Sequence, residues 1–458
     1  MVNSYSNDTA LKEFPFMPEL GTLYRGKVRD NYTRDETRIS IATDRVSAFD
    51  VVFDEPIPQK GAVLTQIARY WFDATSSIVP NHVISCPDPQ VLIVKECKPF
   101  GLEFIVRGYL AGSAWKDYAA GKREKCGVSL SEGMKKNQKF DHPIITNTTK
   151  AKEGHDVDIS RKDILEQKLL CEEQLSEIED IMRTLYDCGT KIAAQRGLIL
   201  VDTKYEFGLD SEKNIVLIDE VHTPDSSRYW YTSSYEERFA TEQNQQELSK
   251  EFLRHWLKTQ GFSGEHGQKK PSLPAQVIQE TSDRYLELYK ILTGKELDTN
   301  TSPISQRITS NLLSAGIMKG GYVQIITGSK SDSTHYERIE KKLQDLNIPH
   351  GTQVLSAHKN TQQLIDFLKT MNASGEPVVY ITVAGKSNAL GGIIGAPANN
   401  IRGFPVINCP AFKDTTDYLI NIHSSLQLPS EVPVPTILNP ESAALFAQNI
   451  LRMAGAKV

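Results

Sequence analysis

Val201-Asp202-Thr203-Lys204-Tyr205-Glu206-Phe207-Gly208 is followed, after a short turn, by Ile215-Val216-Leu217-Ile218. The chain then runs Asp219-Glu220-Val221-His222-Thr223-Pro224-Asp225-Ser226-Ser227-Arg228-Tyr229-Trp230. The apolar runs read as two strands, over 198–206 and 215–219. Alternate residues of a strand share a face, so Asp202, Lys204 and Glu206 point the same way. Clustered carboxylates repel unless a cation sits among them, and a hard ion such as Mg²⁺ suits them. Arg228 suits a phosphate or carboxylate. The stretch reads as a hairpin that handles a phosphorylated anion; a solvated hairpin face with a polar, capping turn is the plain alternative. Counting would pair Asp202 with Asp219 and leave Glu206 nearer the turn. The register itself stays open, and with it the carboxylate that shares a metal with Asp219.

Around this stretch the chain is long and mixed in texture. Its 458 residues exceed one ordinary core, so two or three domains are expected. A net charge of −5 gives no basic footprint for nucleic acid. No apolar run is long enough to span a membrane, and the start lacks the pattern of a signal peptide. Six cysteines, none in a C-x-x-C pair, read as reduced structural thiols of a cytoplasmic protein. Residues 1–14 are polar. The segment from Thr22 to Ile105 is strand-rich, and 160–196, 234–260 and 274–293 carry helical spacing. Residues 294–306 resemble a connector, followed by a short helix over 306–315.

From Tyr322 onward apolar strands alternate with helices: Val323–Thr327, 333–346, Thr352–Leu355, 361–370, Val378–Val383, about 388–399 and Val406–Cys409. That alternation predicts a parallel α/β domain, so the chain divides into 1–318 and 319–458. Three polar groups fall where those strands end, the edge at which open α/β sheets bind ligands. They are Gly328-Ser329-Lys330-Ser331-Asp332, Ser356-Ala357-His358-Lys359 and Gly385-Lys386-Ser387-Asn388. The first opens a helix and suits a phosphate. His358 beside two other polar loops is a catalytic candidate. In the first domain, Gly26-Lys27-Val28-Arg29 forms a turn whose backbone N–H groups and lysine could meet a phosphate.

Five motifs in order, YRGKVRDNY, TDRVSAFDVV, EFIVRGYLAGSAW, VDTKYEFG and DEVHTPDSSRYW, make residues 20–318 resemble SAICAR synthetase (phosphoribosylaminoimidazole-succinocarboxamide synthase). The resemblance implies an α+β, ATP-grasp or kinase-like domain that joins CAIR, a carboxylated aminoimidazole ribonucleotide, to L-aspartate with ATP. It implies that Gly26, Lys27, Val28 and Arg29 hold ATP, and that Glu206 and Asp219 hold Mg²⁺ and meet ATP, with Lys204 and Asp219 catalytic. It also implies that Arg107, Ser113, Asp225, Ser226 and Arg228 grip the nucleotide. Asp44, Arg45 and Ser47 are further site candidates. Thr149 and Lys150 precede Glu153-Gly154-His155-Asp156, where the family carries a mobile substrate loop.

GSKSD, SAHK, AGKSN-LGG and SLQLPSEVPVPTIL make residues 322–458 resemble AIR carboxylase. The fold implied is a three-layer, flavodoxin- or Rossmann-like parallel sheet. Lys386-Ser387-Asn388, where the bacterial mutase type carries a histidine, resembles the class II enzymes that take CO₂ directly. Those enzymes usually have arginine at the lysine position, and Ala389 stands where glycine is common. The resemblance implies that AIR and CO₂ give CAIR without biotin or another cofactor. His358 would act as base, and Gly328, Ser329, Ser331 and Asp332 would hold the nucleotide. Ser356, Lys359, Gly385, Lys386, Ser387 and Asn388 would complete the site. Such carboxylases assemble as octamers, so a homo-oligomer built through the second domain is expected. The rival reading is a ligase carrying an inactive, oligomerising second domain.

Overall fold

The computed structural model describes residues 10–150, 157–265, 267–298, 303–385 and 389–458. They form two compact units. The first comprises the chain up to Phe14 together with Tyr24–Ile308; the second comprises Pro15–Leu23 and Thr309–Val458. The division expected between 318 and 319 therefore lies upstream, at 308/309, and a short N-terminal segment belongs with the C-terminal unit. Its polar contacts explain why. Glu19 is buried and its carboxylate accepts the Lys319 N–H and, at 2.9 Å, the Gly320 N–H. The Glu19 N–H donates to Glu376 Oε1 at 2.8 Å, and the Gly375 N–H donates to the Phe16 carbonyl at 2.8 Å. Nothing local in Pro15–Leu23 advertises partners three hundred residues away.

In the first unit, strands Arg29–Arg34, Thr37–Ala42, Val91–Lys95 and Val83–Asp88 are antiparallel neighbours in that order. The helix Lys60–Ala74 interrupts what reads as a strand-rich stretch. It buries Val63, Leu64, Ile67, Trp71 and Phe72, an i, i+4 stripe that its aromatic and β-branched composition hid. A second sheet is built around the long strand Leu198–Leu209. Leu102–Tyr109 and Ser227–Tyr231 flank its first half, and Ile215–Ile218 pairs with its end. Lys139–Thr149 extends the sheet beyond Leu102–Tyr109. The helix Glu172–Gln195 covers this sheet, burying Leu175, Ile178, Met182 and Leu185. The helical texture over 234–260 resolves into two helices, Thr232–Ala240 and Glu251–Thr259, while 274–293 is one, Ala275–Thr293.

The second unit is the expected parallel sheet. Its order is His350–Val354, Tyr322–Thr327, Val378–Val383, Val406–Asn408. Side-chain alternation sorts its two faces. Val323, Ile325, Val379 and Ile381 pack against helices Ser333–Asp345 and Pro440–Met453. Ile326, Val378, Tyr380 and Val406 pack against Thr361–Asn372 and Ala389–Gly395. Both faces are covered, which is why these strands read as unbroken apolar runs. The result is three layers with every strand's carboxyl end on one edge.

Candidate functional site

The hairpin register answers the question that counting left open. Leu209 lies opposite Ile215 and Glu206 opposite Ile218, so Asp219 follows the residue that faces Glu206. The expected Asp202–Asp219 pairing does not form. The first strand runs on to Leu209, and the Asp210 carboxylate closes the turn by accepting the Glu212 and Asn214 N–H groups at 3.0 and 2.9 Å. Asp202 lies instead between two arginines, opposite Arg228 on one neighbouring strand and Arg107 on the other. Arg228 donates to Asp202 Oδ2 at 2.5 Å, and Arg107 Nη1 stands 3.6 Å from the same oxygen. Arg107 also donates to Thr146 Oγ1 at 3.0 Å and to Ser113 Oγ at 3.2 Å.

Further along the same face, Lys204 Nζ lies 2.9 Å from Glu206 Oε1 and 2.7 Å from Glu103 Oε1. Lys150 bridges both oxygens of Glu206 at 2.9 and 2.7 Å. Asp219 leaves its strand with φ 67°, in the left-handed region, and its carboxylate receives Arg29. Burial would raise Asp219, yet Arg29, Lys204 and Lys150 hold it well below the usual carboxylate range. Among the described residues no three His, Cys, Asp or Glu side chains converge as a metal site. Mg²⁺, however, is commonly held by one or two carboxylates plus substrate phosphates. The carboxylates Glu206 and Asp219, both near Lys204 and Lys150, suit an ion that arrives with a nucleotide.

These groups line a cleft of about 1860 Å³. Its walls carry fifteen Lys or Arg against ten Asp or Glu, a local cation excess in a chain of net charge −5. Such a cleft draws anionic substrates. Lys27 lines it and pairs with Asp50 at 2.6 Å in an exposed contact. The Gly26 N–H is spent on the Arg29 carbonyl at 2.8 Å, so that turn offers fewer free donors than its sequence suggests. Arg45 braces the turn, donating to the Lys27 and Gly26 carbonyls at 3.1 and 3.0 Å. Val28, Ser47, Ser113, Lys150, Ser226 and Arg228 line the cleft as well.

Two expected ligands are placed otherwise. Asp44 is fully buried and lies outside the cleft lining, and both its oxygens are taken by backbone: Oδ1 accepts Gly61 N–H at 2.9 Å and Oδ2 accepts Leu11 N–H at 2.7 Å. Burial pushes its carboxyl up to about 6, against those two donors. Thr149 turns its hydroxyl to the Val157 carbonyl at 3.4 Å, and the loop after Lys150 lies outside the described residues. His222 of the central motif is a core residue: it is buried, 2.6 Å from Tyr205 Oη and edge-on to Trp71, and burial lowers it to about 3.

No motif singles out Glu247, Lys250, Glu251 or Arg254, and Glu103 opens the EFIVRGYLAGSAW motif without an expected role; all five lie in the cleft wall. Glu251 accepts from Arg228 at 3.1 Å and Arg254 at 3.2 Å. Burial and the neighbouring Glu251 push Glu247 up to about 7. Four of these sit on or just before the helix Glu251–Thr259, whose spacing reads as a solvated charged face until the fold turns it toward the cleft.

In the second unit the loops at Gly328–Asp332 and Ser356–Lys359, with Gly385 of the third group, follow strands at one sheet edge. Ser329 Oγ accepts the Ser331 N–H at 3.1 Å and the Ser331 hydroxyl at 2.9 Å, shaping the loop after Tyr322–Thr327. The Gly328 N–H donates to the Val383 carbonyl at 3.1 Å. Asp332 packs on Gly385 so closely that a Cβ there would lie 2.9 Å from Asp332 Oδ1. Ser356 Oγ accepts the N–H groups of His358 and Lys359, each at 3.3 Å, presenting an exposed imidazole. Lys386, Ser387 and Asn388 lie outside the described residues.

Comparison with known proteins finds a family for each part of the chain. The SAICAR synthetase family model matches residues 22–271 and the AIR carboxylase model matches residues 322–458. The chain is 51% identical over 292 residues to the phosphoribosylaminoimidazole-succinocarboxamide synthase of Azobacteroides pseudotrichonymphae genomovar. CFP2, covering 63% of this chain and 90% of that protein. It is 50% identical over 299 residues to the synthase of the same name from Bacteroides thetaiotaomicron, covering 65% of this chain and 95% of that one. Among solved structures it resembles the SAICAR synthase of Saccharomyces cerevisiae complexed with SAICAR, with a TM-score of 0.55 and 34% identity over 63% of this chain and all of that one.

Proposed function

We propose, from the premise that this chain belongs to the SAICAR synthetase family and continues into an AIR carboxylase domain, that its second unit makes CAIR and its first unit consumes it. The chain is thus a bifunctional enzyme of purine biosynthesis. In the first unit the ATP γ-phosphoryl group passes to the CAIR carboxylate. The L-aspartate amine then displaces phosphate from the acyl phosphate, giving SAICAR, ADP and phosphate. Such transfer depends mainly on positioning and charge neutralisation.

One observation carries this reading: a single strand face holds an arginine clamp at Asp202 and, beside it, Lys204 and Glu206, with Asp219 at the end of the neighbouring strand. Arg107, Ser113 and Arg228 would bind the nucleotide phosphate. Lys27 would take the ATP phosphates, its exposed tie to Asp50 being easily exchanged. Lys204 and Lys150 would neutralise charge around the transferred group. Glu206 and Asp219 would hold Mg²⁺, which when bound supplies further neutralisation of the phosphoryl oxygens.

In the second unit the enamine-like C4 of AIR would attack CO₂ directly, and His358 would remove the C4 proton to restore the aromatic ring. Ser329, Ser331 and Asp332 would seat the ribose and phosphate. No ATP, biotin or metal enters this step. Homo-oligomerisation to an octamer through this unit is supported by exposed Leu419, Ile420 and Leu426 on one helix and Leu445 and Phe446 on another, apolar surface of the kind that marks an interface. A cytoplasmic location fits six cysteines that are all unpaired.

The test is an assay supplying AIR, bicarbonate, ATP, Mg²⁺ and aspartate, with each withheld in turn. Withholding ATP, Mg²⁺ or aspartate should stop SAICAR formation while leaving CO₂-dependent loss of AIR. No SAICAR with all five supplied, or no loss of AIR, would refute the two-step reading.

A further inference from the structure

The turn that opens the helix Lys60–Ala74 is unusual at three consecutive residues. Gln59 is left-handed, with φ 66°. Gly61 is so close to Ala42 that a Cβ there would lie 2.4 Å from the Ala42 carbonyl oxygen. Between them Lys60, the first helical residue, is completely buried. A cation at a helix N-terminus has the wrong sign for the macrodipole, and burying an ammonium is costly without a partner. One carboxylate accounts for it: Lys60 Nζ stands 3.0 Å from Asp225 Oδ2.

The surroundings make this pair part of a closed network. Asp44 holds the turn from behind through the Gly61 N–H. Lys250 reaches the same Asp225 oxygen at 3.2 Å, and Tyr285 Oη donates to the other. The Lys60 ammonium lies 6.0 Å above the Tyr285 ring. Ser282, on the same helix as Tyr285, donates to the Pro58 carbonyl at 2.8 Å, tying that helix to the turn. Burial would raise Asp225, but Lys250, Lys60 and Tyr285 hold it well below the usual carboxylate range. With both oxygens engaged, Asp225 is an anchor rather than a ligand. What it anchors is the Thr223–Ser226 turn, closed by the Ser226 N–H to the Thr223 carbonyl at 3.2 Å and leading through Ser227 to Arg228.

We propose that Lys60 is a positioning residue of the ligase site, fixing the Thr223–Ser226 turn through Asp225 so that Lys250, Ser226 and Arg228 meet the nucleotide substrate in one geometry. It acts without touching substrate, and it links the motif around Asp44 to the motif around Asp225. The proposal rests on the ligase reading above.

The experiment uses the full chain carrying Lys60→Met or Tyr285→Phe. ADP formation is measured with CAIR varied at saturating ATP and aspartate, and CAIR binding by calorimetry. Lys60→Met should raise both KM and Kd for CAIR by about tenfold or more, with kcat reduced much less and KM for ATP changed less than about twofold. Tyr285→Phe should move KM for CAIR in the same direction by about threefold. Carboxylation of AIR should be unchanged in both. A folded Lys60→Met chain with wild-type KM and Kd for CAIR would overturn the proposal. Should Lys60→Met fail to fold, unchanged CAIR parameters in Tyr285→Phe, which keeps the buried lysine, would overturn it as well. A wild-type chain that binds CAIR but makes no ADP would sink the ligase reading instead, and the binding comparison would still decide the role of Lys60.

Discussion

Replacing Glu376 by glutamine should flatten the pH dependence of the second unit's stability. Glu376 is buried, with Oε1 accepting the Glu19 N–H. The buried Glu19 carboxylate lies beside it and is itself held by the Lys319 and Gly320 N–H groups. Glu376 is therefore the carboxyl that keeps its proton. Burial pushes the Glu376 carboxyl up to about 8; the Glu19 N–H opposes this, and the Glu19 carboxylate adds to it. The remaining ionisable neighbour is Tyr322, which burial also raises, to about 12. The sign follows from proton counting. Between the ordinary carboxyl value of 4.5 and about 8, the unfolded chain has released a proton that the folded chain retains. Stability is then highest below 4.5 and falls as pH rises toward 8, by at most about 1.4 kcal/mol per pH unit, or about 5 kcal/mol over the window. That is comparable with the whole stability of an ordinary domain. Release of Pro15–Leu23 offers a cheaper escape and caps the loss below that figure. Calorimetric unfolding of wild type and Glu376→Gln at pH 5, 6.5 and 8 tests this. The two proteins should agree within about 1 kcal/mol at pH 5, where both side chains are neutral, and the variant should be the more stable by several kcal/mol at pH 8. Parallel stability curves across that range would refute the reasoning.

Asp219→Asn should cut aspartate-dependent ADP formation by about 10²-fold or more while sparing AIR carboxylation. Loss of both activities in a folded variant would contradict independent sites. His358→Asn should lower CO₂-dependent loss of AIR absorbance by about 10²–10⁴-fold and leave ligation of supplied CAIR intact; wild-type carboxylation would remove His358 as the base. Gly61→Ala should destabilise the first unit by about 1–3 kcal/mol in urea unfolding, because its Cβ would sit 2.4 Å from the Ala42 oxygen. An unchanged midpoint would show that the turn yields more readily than its packing suggests.

The architecture was legible where periodicity and environment agreed. The parallel sheet of the second unit announced itself because both faces are buried, so its strands read as apolar runs between helices. The helix Lys60–Ala74 was hidden because Trp71, Phe72 and Val63 serve a helix stripe as well as they would serve a strand. At the site, alternation along the strand placed Asp202, Lys204 and Glu206 on one face correctly. Register could not be read, because it depends on where the Asp210 turn closes. Asp44 reads as a ligand in the sequence, while the fold turns both its oxygens to backbone N–H groups. Only the fold reveals whether a carboxylate in a polar motif faces inward. Lys60, Lys250 and Glu251 were invisible for a related reason: their partner Asp225, or Arg228, lies on another element far along the chain.

The segment Pro15–Leu23 has a consequence for how the chain is made. Glu19 and Glu376 are 357 residues apart. At a translation rate of about 5–20 residues per second, the segment waits about 20–70 s after it is synthesised before its partner exists. Throughout that interval Phe16, Met17 and Leu20 have no native surface to cover them. The second unit therefore finishes only when Pro15–Leu23 is recaptured by residues made long after it. A chaperone that shields this segment in the meantime should raise the yield of active carboxylase more than that of active ligase.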